Sequence, residues 1–152
     1  MANPVCEVLL TDAQLKAPPD DADLGAGAVV DFLGIVRGSE NGRRIDGIEY
    51  ETHWEMAEHQ LRRIAQQAIE EFALDLVIVH HRIGFVAAGQ SSLFLRVASQ
   101  HRAEAFQASE WVVDKLKKKV PIWKRVKLEI DNRSATTAKH DRQAEADLIS
   151  RA

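Results

Sequence analysis

Between residues 54 and 72 the apolar side chains Trp54, Ala57, Leu61, Ile64, Ala65, Ala68, Ile69 and Phe72 recur at helical spacing, behind a Thr52-His53-Trp54-Glu55 segment that matches a capping box. Such a stripe must be buried against another element, and the flanking segments supply strands rather than further long helices. Upstream, residues 5–10 read as a short strand and residues 13–16 as one or two helical turns ended by Pro18-Pro19. Residues 27–37 read as a largely buried β-branched strand. Asn41-Gly42 then suits a tight turn into a returning strand through Ile45, Ile48 and Tyr50. Downstream, strands are expected over 76–83 and 92–98, joined through Gly84 and Gly89. Ser99 is placed to cap a second long helix with Phe106, Val113, Leu116 and Val120 inward, stopped by Pro121. A final strand over 122–130 precedes a polar tail with a helical tendency from Lys139 onward. The order β, β, β, α, β, β, α, β predicts an α+β sandwich, one domain over 1–130 followed by a tail over 131–152.

The 152 residues, 45% hydrophobic and 28% charged, suffice for a self-supporting core, since a chain of this length buries roughly 68–70% of its unfolded surface. Cys6 has no partner for an internal disulfide, the first ten residues lack the basic start and apolar run of a secretory signal, and no apolar run could span a bilayer. A soluble cytoplasmic protein with no membrane association is expected.

The net charge of −3 conceals an asymmetry: Lys115, Lys117, Lys118, Lys119, Lys124, Arg125 and Lys127 crowd into 13 acid-free residues, leaving 13 basic against 23 acidic groups elsewhere. Several chemistries are disfavoured. Gly25-Ala26-Gly27 leads into a strand and not from a strand into a helix, so it is no dinucleotide fingerprint, and there is no P-loop. His80 and His81 are adjacent on a strand and point to opposite faces, and His53 and His59 are off-face on a helix, so no metal site is expected. No nucleophile elbow is present, and Cys6 reads as a small buried strand residue.

Three groups of cations remain. Arg37 ends the second strand, His101 and Arg102 open the second long helix, and the Lys-rich end of that helix runs into Trp123-Lys124-Arg125. Cations at a helix N-terminus oppose the dipole, and an anion bound there would satisfy both the cations and the free N–H groups. Lys115, Lys118 and Lys119 suit the helix C-terminus as solvated caps. Lys117, next to Leu116 and four residues after Val113, falls at the rim of the buried stripe, where crowding and partial burial would favour a neutral amine. Lys117 and Lys124 are therefore the candidates for chemistry, and phosphate or carboxylate is the expected guest. The rival reading is a nucleic-acid-binding module built on 115–127, for which Trp123 alone offers a stacking platform.

Four blocks carry a family resemblance: Gly27-Ala28-Val29-Val30-Asp31-Phe32-Leu33-Gly34-Ile35-Val36-Arg37, His81-Arg82-Ile83-Gly84, Ser99-Gln100-His101-Arg102-Ala103-Glu104-Ala105-Phe106, and Asp114 through Arg125 with its Lys-rich core and Pro121-Ile122-Trp123-Lys124. In this order they resemble the large, catalytic subunit of molybdopterin synthase over residues 27–126; the resemblance does not extend past Val126. It implies an α/β hammerhead-type fold with an added antiparallel β subdomain, a homodimer, and a heterotetramer with a small ubiquitin-like sulfur carrier. It further implies a sulfurtransferase reaction, in which the carrier's C-terminal Gly-Gly thiocarboxylate gives sulfur to cyclic pyranopterin monophosphate to form the dithiolene of molybdopterin. By the motifs, Lys117 and Lys124 look catalytic, and Arg37, His101 and Arg102 look like binders of the pterin substrate. No metal or cofactor is implied, and sulfur brought on a partner's tail removes the need for a reactive cysteine.

Overall fold

In the computed structural model, which describes residues 3–19, 25–129 and 149–151, the chain folds into two sheets and two helices. The elements are β1 (Val5–Thr11), β2 (Ala28–Ile35), β3 (Ser39–Glu40), β4 (Arg43–Thr52), α1 (Trp54–Phe72), β5 (Leu76–Arg82), β6 (Gly84–Ala87), β7 (Ser91–Ser99), α2 (Arg102–Lys119), β8 (Ile122–Leu128) and β9 (Ile149–Arg151). The first sheet has the order β1-β5-β7-β2, parallel only at β1/β5. The second is antiparallel, with order β3-β4-β8-β9 and β6 also paired to β4. This is the expected α+β architecture with an added antiparallel sheet.

The long helix forms over the expected span because Ala57, Leu61, Ile64, Ala65 and Ala68 bury one face. With α2's Ala108, Val112 and Leu116 they meet Val77, Val79, Leu93, Leu95 and Val97 of the first sheet. The cluster continues into Ile45, Ile48, Val86, Ile122 and Val126 of the second, so one core joins both sheets. No helix among the described residues is long and apolar enough to cross a membrane.

Several local expectations are corrected. Residues 13–16 form no helix: Thr11 Oγ1 accepts from Ala13 N, and the carbonyls of Pro18 and Pro19 are drawn onto the Arg96 guanidinium, which holds this segment extended over the back of the sheet. Asn41 and Gly42 do adopt left-handed backbone, but the hairpin they close is β3–β4, while β2 pairs with β7 in the other sheet. Thr52 caps nothing, because it is still paired in β4 and its hydroxyl donates to Pro121 O at 2.7 Å; His53 caps α1 instead, its Nδ1 accepting from Met56 N. Ser99 likewise ends β7, and His101 takes the N-cap position of α2. The connection after β5 contains a strand of its own, β6. The expected buried strand is an edge strand, with Val29, Leu33 and Ile35 about half exposed, and Phe106 points outward at 62% exposure. The strand expected over 122–130 ends at Leu128, and of the stretch after Lys139 expected to lean helical, the described residues 149–151 form strand β9 against β8, the rest lying outside the described residues.

Gly27 shows how closely β2 approaches the start of α2: a Cβ there would collide with the Gln100 carbonyl, whereas one on Gly38 would meet nothing within 4 Å. Gly27→Ala is therefore expected to destabilise the fold by roughly 1–3 kcal/mol and Gly38→Ala by less than about 0.5 kcal/mol. Urea unfolding of the two variants checks this; equal midpoints would show that the backbone yields at no cost.

Candidate active site

Pro121 cannot extend α2, and it forces Val120 into extended backbone at φ −87°, ψ 126°. The chain reverses within two residues into β8, tied by Val120 N to Leu116 O and by the Thr52 hydroxyl on Pro121 O. Lys117 in the last helical turn and Lys124 on β8 thereby face the same cleft of about 570 Å³. Its other walls come from the end of β2 (Ile35, with Val36 and Arg37 just beyond), Glu40 of β3, Ile48 and Tyr50 of β4, His81 of β5 and Leu93 of β7. Lys124 stands across the ladder from Tyr50 and is half-buried. Lys117 lies exposed at the mouth, so the partial burial expected for it is absent. Arg37 is largely exposed and reaches Glu40 at 3.5 Å.

Three of the five anticipated residues, Arg37, Lys117 and Lys124, thus converge. His101 and Arg102 do not: they are exposed at the opposite end of α2, and the fifteen residues from Arg102 to Lys117 at 1.5 Å rise put them about 22 Å from the cleft within one chain. The rest of the basic segment is dispersed. Lys115 Nζ sits 5.5 Å over the Trp111 ring, and Arg125 lies opposite Glu49 on β4. Cys6, on β1 beside Val77 of β5, does not line the cleft, and burial pushes its thiol up.

Sequence reasoning missed three cleft residues. Glu40 is the acid among the cations, and Tyr50 is buried with its hydroxyl bonded to Ser92; burial, partly offset by that bond, pushes its pKa up. The third, His81, is 4% exposed, with Nδ1 2.8 Å from Arg82 O and its ring edge-on to Tyr50 at 5.3 Å and 77°. Burial lowers its pKa to about 4, the bond to the carbonyl offsetting only part of that effect. The alternation of His80 and His81 was readable from the sequence: His80 turns to the opposite face and meets Glu7 at 2.7 Å. Which of the two faced a cleft was not. Among the described residues no cluster of three or more His, Cys, Asp or Glu side chains could hold a metal.

The mixed α+β scaffold thus brings three cations, from the end of α2, from β8 and from just past β2, to the lining of one cleft whose only described side-chain acid is Glu40, an excess of positive charge that favours anions. The MoaE protein family model matches residues 10–119, and the chain belongs to that family. It is 40% identical over 99 residues to a molybdopterin synthase catalytic subunit of Pyrococcus abyssi, covering 65% of this chain and 67% of that one. It is 41% identical over 103 residues to the same subunit of Oryza sativa subsp. indica, covering 68% of this chain and 53%, about half, of the relative. The crystal structure of molybdopterin synthase from Staphylococcus aureus superposes with a TM-score of 0.70 at 28% identity, covering 82% of this chain and 92% of that one. None of these similarities supports the nucleic-acid reading.

Because an unfolded histidine titrates near 6.5 and folded His81 near 4, the unfolded chain binds the extra proton between those values. The stability contributed by neutral His81 is complete above about pH 6.5 and is lost as pH falls towards 4, by about 3 kcal/mol in all. Denaturant unfolding from pH 7 to 4.5 should show a shallower decline for His81→Gln than for the unsubstituted protein; parallel declines would assign the acid sensitivity elsewhere.

Proposed function

We propose that the chain is the catalytic subunit of a molybdopterin synthase, moving sulfur from the C-terminal thiocarboxylate of a small ubiquitin-like carrier to cyclic pyranopterin monophosphate. The convergence of Arg37, Lys117 and Lys124 on one cleft carries this reading. The substrate is a phosphate anion and the sulfur donor is a thiocarboxylate, so both reactants are negative and need cations to approach each other. Arg37, at the rim and only loosely held by Glu40, suits the phosphate. Lys117 on α2 and Lys124 on β8 both line the cleft and would stabilise charge as the thiocarboxylate sulfur bonds to substrate carbon and the displaced group leaves with the electron pair. Water then cleaves the resulting thioester, leaving a carboxylate on the carrier and the sulfur on the pterin; a second transfer completes the dithiolene. No cysteine of the chain is required, in keeping with the position of Cys6 outside the cleft.

The separation of His101 and Arg102 from the cleft fits a homodimer. Edge strand β2 leaves one side unpaired in the first sheet, and Val30, Phe32, Phe106 and Val113 line an apolar groove of about 360 Å³ beside it. A second copy covering this face would bring its own helix start towards the neighbouring cleft, so that His101 and Arg102 serve a site other than their own chain's. With two carriers the assembly is a heterotetramer, acting in the cytoplasm, with residues 1–130 as its catalytic domain.

Reconstitution with a thiocarboxylated carrier and the cyclic precursor tests the reading. Lys117→Ala and Lys124→Ala should each lower the rate of dithiolene formation by about 100-fold or more while the proteins stay folded. Product formation unchanged by Lys117→Ala would remove that lysine from the chemistry. Phe106→Asp should convert the dimer to monomer in sedimentation and abolish turnover together; an active monomer would refute the shared site.

A further inference from the structure

Acceptors are scarce in the cleft. Arg37, Lys117 and Lys124 can only donate hydrogen bonds, Glu40 is an anionic acceptor paired with Arg37 through one oxygen, and the Tyr50 hydroxyl is bonded to Ser92, so no other side chain offers a free neutral acceptor. His81 differs. A carbonyl oxygen can only accept, so the 2.8 Å contact with Arg82 O requires the proton on Nδ1 and leaves the lone pair on Nε2. The ring cannot turn freely, because it is tied at Nδ1, set edge-on to Tyr50 at 5.3 Å, and carried on a strand residue paired with Leu93 of β7. His81 lines the cleft, and Nε2 has neither a partner among the described residues nor a place among the polar atoms sealed from solvent.

We propose that His81 is a ligand-reading residue of this cleft, its Nε2 accepting a hydrogen bond from an N–H or O–H group on the pterin end of a ligand whose phosphate is held by Arg37, Lys117 and Lys124. This rests on the function proposed above and deepens it. The cations attract any small anion, whereas the fixed neutral acceptor selects one that also presents a donor. A lysine or arginine at position 81 would add charge and lose that discrimination. The mostly apolar wall around the imidazole, Ile48 and Leu93, raises the cost of a ligand donor left unpaired.

Equilibrium binding of cyclic pyranopterin monophosphate and, separately, of inorganic phosphate to the full-length chain tests the assignment. His81→Leu should weaken precursor binding by about tenfold and leave phosphate binding unchanged, while His81→Gln, whose amide oxygen can accept, should stay within about threefold of the unsubstituted protein for both. Thermal melts confirm that the variants compared are folded; should His81→Leu fail to fold, His81→Phe, which keeps the ring and lacks the acceptor, takes its place. Equal precursor binding by His81→Leu and the unsubstituted protein overturns the assignment and leaves the proposed function standing. Parallel loss of both ligands overturns it as well, by showing a structural role. Absence of precursor binding to the unsubstituted protein overturns the proposed function, and this assignment with it.

Discussion

The arrangement of the cleft depends on the break at Val120-Pro121. A helix that continued for one more turn would take Lys124 away from the cleft and leave β8 without the two-residue reversal that brings it alongside β4. Proline removes the donor that the next helical hydrogen bond would need and pushes the residue before it into extended backbone. The Thr52 hydroxyl on the Pro121 carbonyl fixes the turn to the start of α1. Helix end, strand start and the first long helix are therefore locked at one point, and the lysines on either side of it are placed by backbone geometry.

Electrostatics explains why only part of the basic segment serves the cleft. Alternation along β8 sends Lys124 to the cleft beside Tyr50 and Arg125 to the other face beside Glu49. The helical period sends Lys117 to the cleft mouth, whereas Lys115 lies over Trp111. Four of the seven cations crowded into residues 115–127 are thus divided among different surfaces, and a nucleic acid would find no continuous stripe along them. The acid that remains in the cleft, Glu40, keeps Arg37 near its working position without burying the charge. Arg37 is largely exposed while Glu40 is partly buried, so the pair is screened on the arginine side and holds the guanidinium only weakly.

What could be read in advance follows from range. The helix over 54–72 was legible because its period repeats through five turns, and the two lysines because a helix stop and a strand start lie within a few residues. Expectations that needed a partner chosen from far along the sequence went astray. Thr52 looked like a helix cap until its hydroxyl found Pro121, 69 residues away. The β2 segment looked buried because apolar content does not distinguish a central strand from an apolar edge, and Phe106 looked inward for the same reason. His81 was hidden differently. Adjacent histidines on a strand must face opposite ways, but which one meets the cleft is decided by the sheet's pairing with β7 and by the second sheet, which sets Tyr50 against His81.

The exposed edge and the distance of His101 and Arg102 from the cleft both bear on the proposed dimer. An edge strand with apolar residues on both faces is a liability unless covered, and covering it with a second copy costs the chain no additional sequence. In a twofold pair, the surface that buries Phe106 lies close to the helix start that carries His101 and Arg102, because Arg102 is one turn before Phe106 on α2. Burying the apolar edge and delivering two more cations to a neighbouring cleft would then be a single event. A monomer would keep the three cations of its own cleft and lose the two that a helix length places out of reach. In the proposed dimer the five cations would be brought together only on assembly, the same step that covers the exposed edge.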